Sequence, residues 1–347
     1  LGLGVVVGLV AWKLGTGRTP APQPGTSTGA ATAASERVTL AQRAGQGDLQ
    51  ALAALREQTK PPAEGKPPAV PEAEAGDWIA VLNGLRAGFP KLAPAGKAAS
   101  LETAARILHR FAVEPAPALW SQALMPVHNL MVAGLNDRAP EVRIAALQEV
   151  KKFWAWTPGR TMMPVEEKLL EQWLAGLHEP VVRCLGQDEP PVRAAAVQCL
   201  STLPVDALAA PALARIQDES VTVRLQALAA FANRPHLLTE EVMLPLLHDP
   251  YPELVALTTK ILQGRGLTAE QIHLCRLIGH PQASQREAVI PLLRDRTDID
   301  PVVWLIFLSR DPDPNVRRQA VEALSGRVTD EARARLEEIV DLDPSPA

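Results

Sequence analysis

Between residues 137 and 324 the chain repeats one arrangement of polar and apolar positions six times. In the last copy Asp311 opens a turn with Pro312 and Pro314 and leads into Val316, Arg317, Ala320, Val321 and Leu324. Earlier copies run from Asp137 into Val142 and Arg143, from Asp188 into Val192 and Arg193, and from Asp218 into Val223 and Arg224. Asp249 then leads into Leu254 and Val255, and His280 into Gln285 and Arg286. The first positions fall at 142, 192, 223, 254, 285 and 316, so every step after the first is 31 residues. A fixed period of this size is the mark of a repeat array.

Apolar residues at the first, fifth, sixth and ninth positions of each copy lie on one face of a helix with 3.6 residues per turn. The fifth position is small in Ala146, Ala196, Ala227 and Ala320, which lets neighbouring helices come close. Before each turn runs a second amphipathic stretch, such as 237–247, 268–278 and 301–308. Thr268 with Gln271 has capping-box spacing, and Pro301 after Asp300 suits a first helical position. The Asp carboxylate is placed to accept N–H groups at the start of the following helix. The unit is therefore helix, Asp/Pro turn, helix. One such pair cannot cover its own apolar face, so the expected fold is all-α, an α-α superhelix in which stacked pairs share one core.

Over residues 119–341 the phrase Asp-x4-Val-Arg-x2-Ala-x3-Leu resembles the HEAT-repeat family in its short bacterial form of about 31 residues. The resemblance implies a solenoid that binds other proteins. It further implies a hydrogen-bonded ladder joining Asp137, Asp188, Asp218, Asp249 and Asp311 to Arg143, Arg193, Arg224, Arg286 and Arg317. Val255 in place of Arg, His280 in place of Asp and Gln285 in place of Val predict a break in that ladder between 250 and 290.

Outside the array the pattern divides the chain further. Residues 1–14 are apolar up to Trp12 and Lys13, too short to cross a bilayer alone. They read as the end of a truncated membrane anchor, with a signal peptide as the competing reading. Localisation then follows as membrane-anchored, with the extracytoplasmic side preferred. Residues 15–35, rich in Thr, Pro, Ala and Gly, predict an extended linker, and 36–59 a short helical hairpin broken at Gly45 and Gly47. Residues 60–76 carry Pro61, Pro62, Pro67, Pro68 and Pro71 and predict a second tether. Residues 77–118 predict an N-terminal helical cap, and 119–347 the array, ending in a charged capping helix near 329–340.

The long first step places about nineteen extra residues within 151–187, including Trp154, Trp156, Met162, Met163, Trp173 and a helix interrupted at Pro180. An insertion in an array projects from one edge, where clustered Trp and Met can serve as binding hot spots or fill an irregular gap.

Composition changes this picture little. A 347-residue chain, 47% hydrophobic with a formal charge of −4, gives no general electrostatic reason to expect nucleic acid. Cys184, Cys199 and Cys275 have no metal spacing, and their odd number speaks against a disulfide framework. The seven histidines include no His-x3-His pair, although His248 and His280 hold neighbouring turn positions. There is no Gly-rich phosphate loop: Gly264, Arg265 and Gly266 lack the accompanying Lys. No cofactor, metal or catalytic residue is expected.

By the resemblance, second helices line the concave face with their third, fourth and seventh positions. Lys260 and Arg318 there are balanced by Glu287 and Glu322, so the face suits a protein helix or peptide better than a polyanion. The expected partner surface is Ile144, Gln148, Ala195, Gln198, Leu225 and Gln226, flanked by Trp154 and Trp156. The family also contains DNA-repair proteins and bilin lyases, which stand as alternatives to a non-catalytic scaffold.

Overall fold

A computed structural model describes residues 27–60, 72–111, 117–155, 164–203, 205–294, 296 and 299–342. Their regular structure is helical throughout. The elements are α1 (Ser27–Gly45), α2 (Leu49–Gln58), α3 (Glu72–Gly88), α4 (Pro94–Phe111), α5 (Pro117–Leu135), α6 (Pro140–Trp154), α7 (Pro164–Cys184), α8 (Pro190–Leu200) and α9 (Asp206–Leu213). They continue with α10 (Val221–Phe231), α11 (Glu240–Met243), α12 (Pro252–Gly264), α13 (Ala269–Ile278), α14 (Ala283–Arg294), α15 (Pro301–Leu308), α16 (Pro314–Ser325) and α17 (Asp330–Leu342). Tighter 3-10 turns at Ala214–Gln217 and Leu244–His248 extend α9 and α11.

Odd-numbered helices pack in succession from α1 to α9, the 3-10 turn after α11 packs on α13, and α15 on α17; α2, α4, α6, α8, α10 and α12 pack in succession as the other layer, with α14 on α16. The shared core follows the periodicity. In α6, α8 and α10 the first, fifth, sixth and ninth positions are buried: Val142, Ala146, Leu147 and Val150; Val192, Ala196, Val197 and Leu200; Val223, Ala227, Leu228 and Phe231. Burying each large aliphatic side chain contributes about 1.5–3 kcal/mol, which is why the period, not local propensity, sets the helix faces.

Several boundaries differ from those read in the sequence. Helix α1 begins at Ser27, inside the stretch expected to be an extended linker to residue 35, because its run of alanines has high helix propensity. Nor is 36–59 a separate hairpin. Ala41, Ala44, Ala51, Leu52 and Leu55 join the common core, and α1 lies against α3 so closely that a Cβ on Gly88 would stand 2.2 Å from the Gly45 Cα. Helix α3 starts at Glu72, within the tether assigned to 60–76.

Within the segment 77–118, expected as an N-terminal cap, α4 follows the repeat pattern. Helix α4 stacks beside α6, with Lys97 at the Arg position, Ser100 at the small fifth position and Leu101 at the sixth, the latter two fully buried. Ser100 Oγ donates to the Gly96 carbonyl at 2.8 Å, which satisfies its buried hydroxyl. In the insertion, α7 runs unbroken through Pro180. The anchor read at 1–14, like Trp156, Met162 and Met163, lies outside the described residues; among those described, no helix is long and apolar enough to cross a membrane.

Candidate functional site

The residue that the phrase places at each turn acts before the helix starts. Asp137, Asp218, Asp249 and Asp311 each accept the N–H two residues on (Ala139, Ser220, Tyr251 and Asp313) at 2.8–3.0 Å. These are Asx turns, so the carboxylates are not the N-caps expected from the spacing. His280 reproduces the geometry with a ring nitrogen: Gln282 N–H donates to its Nδ1 at 3.1 Å.

Each phrase Arg then folds back over its own turn, and Arg143, Arg193, Arg224 and Arg286 also reach forward to the next. Arg193 Nη1 donates to the Gln187 and Asp188 carbonyls, both at 2.9 Å, while Nε and Nη2 grip the Asp218 carboxylate at 2.9 and 2.7 Å. Arg286 holds Asp311 in the same two-point grip at 2.6 and 2.7 Å. Arg224 Nη2 donates to Asp249 Oδ1 at 2.9 Å, with Nε 2.9 Å from Oδ2. Arg317 closes over the Asp311 and Pro312 carbonyls at 3.0 and 3.1 Å. Burial alone would raise the Asp218 carboxyl, but Arg193 and the Ser220 N–H outweigh it and hold it below the ordinary carboxylate range.

Asp188 is not part of this ladder. Counting back from Arg193, the turn position is Gln187, whose carbonyl takes the bond that Asp137 gives Arg143. A neutral Gln offers Arg143 no carboxylate, and the guanidinium reaches Glu189 instead at 2.6 Å, while Asp188 is exposed. At the other end the ladder gains a rung: Lys97 Nζ donates to Asp137 Oδ2 at 2.6 Å. Lys in the Arg position was the signal that could have revealed α4 as a repeat.

The chain is a helical-repeat solenoid. No protein-family model and no curated protein matches its sequence. Among solved structures, it is similar to a Kap121p mutant at 13% identity and a TM-score of 0.38, over 89% of this chain and 38% of that one. It is also similar to an engineered protein at 15% identity and a TM-score of 0.32, over 91% and 89% of the two chains.

The expected partner residues fall on three helices stacked side by side, α6, α8 and α10. Ile144, Ala195 and Leu225 are half-buried against the core, so each offers only an edge. Gln148 is exposed and Gln198 and Gln226 half-buried; Gln198 Oε1 accepts a 3.5 Å bond from Lys151 Nζ. Trp154 also packs on the core. Trp173 is a buried anchor, its Nε1–H donating to the Leu124 carbonyl at 3.0 Å and its ring standing edge-on to Phe153 at 5.0 Å. It therefore fills the irregular gap and is not a surface hot spot.

Cavities also open elsewhere among the described residues. One of about 280 Å³ between α5 and α7 is walled by Leu124, Met125, His128, Leu169 and Trp173. A second of about 330 Å³ is walled by the Arg265–Glu240 ion pair, Cys275 and Trp304. The third, about 600 Å³, runs along α12. His248 and His280 are edge-on at 5.0 Å, and His248 Nε2 is committed to the Arg276 carbonyl at 2.7 Å. Among the described residues, no three His, Cys, Asp or Glu side chains are grouped to hold a metal ion.

Proposed function

We propose that this chain is a HEAT-type, non-catalytic scaffold that binds a helix or peptide of a partner protein. The observation that carries the reading is the uncharged strip formed by Ile144 and Gln148 on α6, Ala195 and Gln198 on α8, and Leu225 and Gln226 on α10. Apolar edges among amide groups are suited to a partner's side chains and backbone, and the Arg ladder along the turns ties the three helices to one another.

The test is capture of partners from lysate of the source organism by the immobilised chain, with and without nuclease. The reading expects a nuclease-resistant protein that is lost on Leu225→Gln. Recovery of nuclease-sensitive material alone would make nucleic acid the ligand. The tether reading of residues 1–35 belongs to the same proposal, shortened to 1–26 by the start of α1. It is supported by the apolar run to Trp12, and sedimentation of the chain with membranes after alkaline carbonate washing tests it.

A further inference from the structure

The ladder and the core both lapse at one seam. In repeats one to three the second and sixth phrase positions, one helical turn apart, face the following repeat: Arg143 and Leu147, Arg193 and Val197, Arg224 and Leu228. Repeat five keeps the pair as Arg286 and Ile290. In repeat four both are changed, to Val255 and Thr259, and the acceptor beyond is His280. Among the described residues, α12 thus offers neither a guanidinium nor a fully buried aliphatic at these two positions toward the next second helix. Accordingly α4, α6, α8, α10 and α12 pack in succession, and α14 packs on α16, but α12 has no comparable contact with α14.

The uncovered flank of α12 becomes a notch of about 600 Å³. It is lined by Pro252, Val255, Ala256, Thr259, Lys260 and Gln263, with Asp249 and Arg276 at its edges. From Pro252 to Gln263 is eleven helical steps, roughly 16 Å at 1.5 Å per residue, enough for about five extended residues. Its charge is one-sided. Asp249 already faces Arg224, whereas among the described residues Lys260 has no anionic partner and the Arg276 side chain reaches only Thr259 Oγ1 at 3.5 Å. Two cations thus stand beside a floor of Pro, Val and Ala side chains.

Resting on the scaffold reading, we propose that this notch is the docking site for an acidic segment of a partner protein, small apolar residues against Val255 and Ala256 and carboxylates toward Lys260 and Arg276. The probe is a displayed library of random dodecamer peptides selected on the whole chain. Enriched peptides should carry an excess of Asp and Glu. They should bind Lys260→Glu/Arg276→Glu at least about tenfold more weakly, and weaken as salt rises from roughly 50 to 500 mM.

Both cations are exposed, so the charge reversals should leave the melting temperature unchanged. A second variant, Val255→Arg with His280→Asp, knits the seam and should close the notch to the same peptides. Peptides that bind the charge-reversed chain as well as the wild type, yet are lost on Leu225→Gln, would overturn the notch and leave the scaffold reading standing. Peptides indifferent to both changes, or no enrichment at all, would overturn the two together.

Discussion

Arg193→Met removes the most completely formed rung of the ladder. The guanidinium makes five hydrogen bonds, two to the Asp218 carboxylate, one to Glu219 Oε1 at 3.1 Å and two to turn carbonyls. The side chains of Arg193 and Asp218 are 5% and 2% exposed. Methionine fills much of the stem volume, so the loss is electrostatic more than steric. It leaves a buried carboxylate with the Ser220 N–H at 2.9 Å and Arg215 Nη1 at 3.8 Å. Breaking a buried pair from one side costs about 3–5 kcal/mol, and the remaining Ser220 and Arg215 contacts place this case near 3. That is roughly two orders of magnitude in the unfolding constant. Arg193→Met with Asp218→Leu, which removes the stranded charge, should recover at least half of the loss.

The effect also carries a pH signature. Asp218 is held below its unfolded value of about 3.9, so its contribution is fully present above that pH and is lost as pH falls through the folded value. The gap between wild type and Arg193→Met should therefore be widest near neutrality and narrow below about pH 4. Equilibrium urea unfolding followed by circular dichroism at pH 7 and pH 3 measures both quantities. A loss below about 1 kcal/mol at pH 7, or a gap of the same size at both pH values, would refute the assignment of a buried, charge-bearing rung.

Glu189→Ala should lower the melting temperature measurably while Asp188→Ala leaves it within error, because only Glu189 receives Arg143. Gly88→Ala should cost about 1–3 kcal/mol and free α1 and α2 for limited proteolysis, since the added carbon meets Gly45 backbone; Gly76→Ala, with nothing within 4 Å, should be neutral or stabilising. Burial pushes the Cys184 and Cys275 thiols up to about 11 and Cys199 higher than its ordinary value, and all three are enclosed. An aromatic disulfide reagent at pH 8 should leave them untouched in the native chain and titrate all three in urea.

The six phrases were legible because each position answers to one physical demand: a turn acceptor, a core aliphatic, a small residue at a close approach, a guanidinium long enough to span two turns. Where a different residue meets the demand, the pattern misleads. Lys97 supplies the cation without the fork, and α4 was read as a cap. Gln187 holds the turn position beside an acid, and Asp188 drew the assignment by its charge alone. The start of α1 was obscured by the Thr, Pro and Gly of residues 15–35, which mask the alanines that favour helix from Ser27 on, and the helix they begin packs on α3 forty residues away. Trp173 shows the remaining limit: an aromatic in an insertion is equally suited to a hot spot or to a gap, and only the Leu124 carbonyl and the Phe153 ring decide it.

In an array each repeat touches only its neighbours, so stability is close to a sum of repeat and interface terms and the weakest interface divides the whole. Here that interface lies between α12 and α14, where Val255 and Thr259 replace an Arg and an aliphatic and no rung spans the turn. Helices up to α12 share the Lys97, Arg143, Arg193 and Arg224 rungs, and α14 to α17 the Arg286 grip on Asp311. The two blocks are joined on this side mainly by α13, which touches both α12 and α14. Amide exchange should then show two cooperative units meeting near residues 264–280, and Val255→Arg with His280→Asp should fuse them into one. The rung gained by that change is partly exposed and worth about 1 kcal/mol, yet it acts on the term that limits cooperativity, so its effect on the number of unfolding units exceeds its effect on stability.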